Sequence, residues 1–96
     1  MKPSEALERH RETIRRATLR YGLANPRVFG SAARGEDTDA SDLDLLVDPG
    51  ERTVLFDLDG LSEELKALLG VSVDVVTSTG LHKRIRGRVL DEAKPV

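Results

Sequence analysis

The chain has 96 residues, 39% hydrophobic and 33% charged, with a formal net charge of -2. That balance excludes disorder and fits one small soluble domain, expected to span residues 1–96. There is no cysteine, which excludes disulfides and thiolate metal sites. The aromatic residues are only Tyr21, Phe29 and Phe56, which leaves little surface for stacking bases, so direct nucleic-acid binding is not expected. No apolar run is long enough to span a bilayer, and the first sixteen residues are charged throughout, unlike a signal peptide. A cytoplasmic location and no membrane partner are the expectation.

Leu7, Ile14, Ala17 and Tyr21 recur at helical spacing, so the chain is expected to open with one helix, N-capped by Ser4 and ended by Gly22. Arg27-Val28-Phe29 reads as a brief strand running into a tight turn at Gly30. Residues 35–40 are polar and acidic and read as a loop. Residues 42–47 read as a strand, with Asp42, Asp44 and Leu46 on one face and Leu43, Leu45 and Val47 on the other. Asp48-Pro49-Gly50 supplies a turn. Residues 53–69 read as a helix whose core stripe is Leu55, Leu58, Leu61, Leu65 and Leu68, with Gly70 closing it. Residues 71–77 form a third predicted strand, with Asp74 facing opposite to Val73 and Val75. Residues 81–93 read as a last helix and residues 94–96 as a tail. Helix, strand, strand, helix, strand, helix predicts an α/β (α+β) domain with helices packed on a small mixed sheet.

Three features of this layout carry chemistry. Gly30-Ser31 follows a strand, where glycine lets a ligand approach the backbone and N–H groups and a hydroxyl can cradle phosphate. Asp42 and Asp44 alternate onto one strand face, close enough to share a cation that relieves their repulsion; Mg²⁺ takes such oxygen ligands. Asp74, flanked by valines, joins them if its strand neighbours theirs; an exposed place on an edge strand is the alternative. The basic run His82, Lys83, Arg84, Arg86 and Arg88 is read as a solvated helix face rather than a binding patch. His10 and His82 are expected at the surface.

Gly30-Ser31, Arg34-Gly35 and Ser41-Asp42-Leu43-Asp44-Leu45 together resemble the signature of the DNA polymerase beta-like nucleotidyltransferase superfamily, and most closely its minimal nucleotidyltransferases, the MNT-domain proteins. The similarity runs through most of the chain and includes the Val73-Asp74-Val75-Val76 strand. The resemblance implies a polymerase beta palm-like fold and transfer of a nucleoside monophosphate from a triphosphate. It implies that Gly30 and Ser31 hold the triphosphate, that Asp42 and Asp44 bind two Mg²⁺ ions, and that Asp74 completes the metal site and helps deprotonate the acceptor. Arg34 is expected to bind phosphate or, preferably, to brace the acidic loop against Asp37 or Asp39. Proteins of this size resemble the antitoxin half of HEPN/MNT toxin–antitoxin pairs. ATP is then the substrate, a HEPN-type RNase toxin the partner, and a tyrosine hydroxyl of that toxin the acceptor of AMP. Neutralisation by binding alone and nucleotidylation of a small molecule are the rival readings.

Overall fold

A computed structural model describes all 96 residues. The elements are α1 (Pro3–Arg9), α2 (Arg11–Arg20), β1 (Ala24–Phe29), α3 (Gly30–Arg34), β2 (Leu43–Asp48), α4 (Leu55–Leu69), β3 (Val73–Thr77), α5 (Lys83–Glu92) and β4 (Lys94–Pro95), with a short 3₁₀ turn at Ser78–Gly80. The four strands form one mixed sheet in the order β3-β2-β1-β4. β1 runs antiparallel to β2 and β4, while β2 and β3 are parallel, joined by the α4 crossover.

Alternation along β2 separates two cores. Leu43, Leu45 and Val47 are fully buried with Val28, Val73 and Val75 under Ile14 and Ala17 of α2 and Leu61 and Leu65 of α4. Leu46 points the other way and packs with Leu81 and with Val89 of α5. The face that carries Asp44 is therefore roofed at one end by α5.

Several expectations need correction. The first helix is two helices, broken at His10, whose φ of -129° leaves the helical region; neither proline nor glycine marks the break in the sequence. Ser4 is not the N-cap. Pro3 occupies the first helical position, and the Ser4 N–H, one of the orphan donors of the first turn, is satisfied from 33 residues away by Asp37 Oδ2 at 2.8 Å. The leucine stripe of α4 is also displaced. Leu61, Leu65 and Leu69 are buried, Leu58 is half-buried, and Leu55 and Leu68 stand in solvent. The tail is a strand: Val96 N–H donates to Pro26 O at 3.0 Å and its side chain is buried. Gly60, which weakens the helix intrinsically, makes room for a neighbour, since a Cβ there would lie 2.6 Å from the Tyr21 ring. Of the basic run, Arg86 braces the Ser78 and Leu81 carbonyls at 3.0 and 3.2 Å, and His82 caps α5 by accepting the Arg84 N–H. Lys83, Arg84 and Arg88 are solvated as expected.

Asp37 is buried, and its pKa reflects two opposed effects. Burial pushes it up, but the Ser4 hydrogen bonds prevail and hold it below the usual carboxylate value. A depressed carboxylate stabilises the fold above its unfolded pKa, and that contribution is lost as pH falls through the lower folded value. Asp37→Ala is expected to cost about 1–2 kcal/mol at pH 7 and progressively less in acid, read from urea unfolding at several pH values.

Candidate active site

The sheet register builds the site. Phe29 is paired with Asp44 across β1 and β2, and Asp44 is paired with Asp74 across β2 and β3. Paired residues on neighbouring strands point to the same face, so the Asp44 and Asp74 carboxylates stand side by side on the α5 face. Asp42 lies one residue ahead of β2, which starts at Leu43 rather than at residue 42, so Asp42 reaches the pair from the loop. Asp74 is exposed, which makes its place an open edge-strand position rather than a buried one. No three acidic or histidine side chains come together tightly enough to cage one ion as they stand. The arrangement is an aligned pair with a third carboxylate on its approach.

Electrostatics ties the three together. Asp44 is half-buried, and its pKa is pushed up to about 6 first by burial, then by the negative charges of Asp74 and Asp42; the Arg34 charge opposes this and the Glu92 charge adds to it. A group so strained by like charge gains from a divalent cation, and the donors here are all carboxylate oxygens, the set that Mg²⁺ prefers. The residues therefore fit such an ion.

The Gly30-Ser31 turn abuts this cluster because β1 ends at Phe29, opposite Asp44. Gly30 has φ +73°, and a Cβ there would sit 2.3 Å from Asp44 Oδ2. Only glycine allows both the left-handed backbone and the carboxylate packed against it. Ser31 follows it as the second residue of α3, half-buried. Arg34 closes α3, but its expected partners are wrong. Asp37 is taken by Ser4, and Asp39 lies 3.6 Å from the N-terminal ammonium. Arg34 instead donates through Nε to Glu36 at 2.8 Å and through Nη1 to both oxygens of Glu92 at 3.1 Å.

Glu92 is the residue that sequence reading missed. It projects from the end of α5 and accepts the Gly30 N–H at 2.6 Å. Burial opposes its charge, yet Gly30 and Arg34 outweigh burial and hold its carboxyl below the ordinary glutamate value. Nothing local announces this role, because Glu92 and Gly30 are 62 positions apart. The larger concavities lie elsewhere, at the far end of β2. One of about 490 Å³ is lined by Tyr21, Gly22, Gly50, Arg52 and Asp57 among others, and it offers no aligned carboxylate pair. The aligned carboxylates instead stand on an open face of the sheet.

No helix is long and apolar enough to cross a membrane. Residues 7–96 match the model of the nucleotidyltransferase domain family. The chain is 41% identical to the protein adenylyltransferase MntA of Thermococcus cleftensis over 90% of this chain and 84% of that protein. It is 42% identical to a Methanocaldococcus jannaschii protein carrying a provisional protein adenylyltransferase name, over 81% of this chain and 84% of the relative. A solved structure provisionally described as a minimal nucleotidyltransferase superposes with a TM-score of 0.86 at 46% identity, covering 97% of this chain and 95% of that one. A toxin–antitoxin crystal structure with AMP-PNP shares the fold, with a TM-score of 0.75 at 21% identity over 88% of this chain and 69% of that one. The aspartates and the glycine turn thus sit in a fold with a known chemistry: the chain belongs to the nucleotidyltransferase domain family and is a nucleotidyltransferase.

Proposed function

We propose that this enzyme is a protein adenylyltransferase antitoxin, which transfers AMP from ATP to a tyrosine hydroxyl of a HEPN-type RNase toxin and so silences it. The observation that carries the reading is the register Phe29–Asp44–Asp74, which sets a glycine–serine turn against an aligned carboxylate pair. Ser31 and Arg34 hold the triphosphate at that turn. Asp42, Asp44 and Asp74 hold Mg²⁺, which when bound neutralises charge on the phosphates and on the entering and leaving oxygens. The acceptor oxygen forms a bond to the α-phosphorus while the bond to the pyrophosphate oxygen breaks. The hydroxyl proton passes to Asp74, the most exposed carboxylate of the aligned pair. Positioning of the α-phosphorus by the turn and Arg34 supplies much of the rate.

A protein acceptor is supported by the relatives named protein adenylyltransferases and by the toxin–antitoxin neighbour.

The test is incubation of the chain with α-labelled ATP, Mg²⁺ and a HEPN partner, read by label on the partner and by its intact mass. The expected result is addition of whole adenylate groups, lost on changing the acceptor tyrosine to phenylalanine. A partner that is neutralised equally by wild type and by Asp42→Ala/Asp44→Ala, with no mass added, would return the protein to a binding-only antitoxin.

A further inference from the structure

The last two elements hold α3 at both ends. Glu92, with only 17% of its side chain exposed, accepts the Gly30 N–H at 2.6 Å, and Lys94 Nζ donates to Ala33 O at 2.8 Å. Each charge complements the helix end it meets. Glu92 also receives Arg34 Nη1, which lies 3.1 Å from each of its two oxygens, while Arg34 Nε is held by Glu36, so the guanidinium is anchored at two of its nitrogens. Glu92 thus occupies the Gly30 N–H, and the neighbouring Ser31 hydroxyl has no intramolecular partner. No buried side-chain oxygen in the molecule lacks a partner, so that hydroxyl is open to solvent and to a ligand.

We propose that Glu92 is a positioning residue for the nucleotide: it fixes the Gly30-Ser31 turn and the Arg34 guanidinium in the arrangement that receives the triphosphate. This rests on the reading of Gly30, Ser31 and Arg34 as the triphosphate site. Without the carboxylate, Gly30 regains the backbone freedom of a glycine and its N–H loses its partner. Arg34 keeps Glu36 but loses its second carboxylate partner, so its guanidinium is no longer held against the turn. Both changes disorganise the free enzyme that binds ATP, so they act on binding more than on the chemical step.

The experiment compares wild type, Glu92→Gln, Glu92→Ala and, as a control, Val89→Ala, which loosens α5 on Leu46 and Leu81 without touching α3. Three quantities are read for each: the ATP dissociation constant without acceptor, KM and kcat for ATP with saturating acceptor, and the melting temperature. Glu92→Ala is expected to raise the dissociation constant and KM about tenfold with a much smaller change in kcat. Glu92→Gln keeps an acceptor for the Gly30 N–H and should recover part of that loss. Val89→Ala should lower the melting temperature and leave ATP affinity intact. Unchanged ATP affinity in both Glu92 variants, or an equal loss in Val89→Ala, overturns the proposal. So does tighter ATP binding in Glu92→Ala, which would make Glu92 a competing internal anion. Wild-type protein that binds ATP without transferring it would remove the adenylyltransferase reading and leave the binding comparison decisive for Glu92; wild type that binds no ATP would overturn both.

Discussion

Asp44→Asn should abolish nucleotidyl transfer, by on the order of a thousandfold or more, while making the metal-free protein more stable. The two effects have one cause. Asp44 carries its charge half-buried, beside Asp74 and Asp42, and its pKa is raised from 3.8 to about 6. An acid whose folded pKa lies above its unfolded value contributes stability while protonated, and that contribution is lost as pH rises from about 4 through about 6. The full rise corresponds to roughly 3 kcal/mol at neutral pH; solvent screening at a half-exposed site reduces it to about 1 kcal/mol. Asparagine keeps the shape and removes the charge. In EDTA at pH 7.5 the variant should therefore melt about 5 °C above wild type, with the gap closing below pH 4. Mg²⁺ should raise the melting temperature of wild type and not that of the variant. A variant that transfers AMP normally, or that wild-type protein matches in stability across this pH range, would refute the assignment of Asp44 as the strained centre of the site.

Gly30→Ala is expected to reduce activity at least a hundredfold and to destabilise the fold by about 2 kcal/mol. Two penalties combine here. The φ of +73° is strained for any residue with a Cβ, and that Cβ would fall 2.3 Å from Asp44 Oδ2, so either the turn or the carboxylate has to move. Gly70 is the matched control. It has φ +74°, and a Cβ added there would meet nothing within 4 Å, so Gly70→Ala carries the backbone strain alone. It should lower stability by about 1 kcal/mol and leave kcat/KM unchanged. Equal kinetic effects of the two substitutions would show that Gly30 is required only for its backbone conformation and not for the approach of Asp44.

The sequence alone determined the order of the main elements, the mixed character of the sheet and the placing of Asp44 on the strand face opposite Leu43 and Leu45. These are local or periodic properties. Valine and leucine at period two make Leu43, Leu45, Val47, Val73 and Val75 a buried face whatever lies above it, and a glycine after a strand makes a turn. The same locality explains the errors. Leu55 and Leu68 fit a helical stripe as well as Leu69 does, and periodicity does not say where the neighbouring helix ends. Ser4 has the right side chain for a cap, but a carboxylate from the loop between α3 and β2 took the role.

Only the tertiary structure decided which groups meet. The parallel register of β2 and β3 sets Asp74 beside Asp44, and a shift of one residue would have sent it into the core. The chain's return through α5 and β4 brings Glu92 to Gly30 and Arg34 and takes Arg34 away from Asp37 and Asp39. Charge pairing follows distance in space, and residues 62 positions apart have no distance until the sheet has formed.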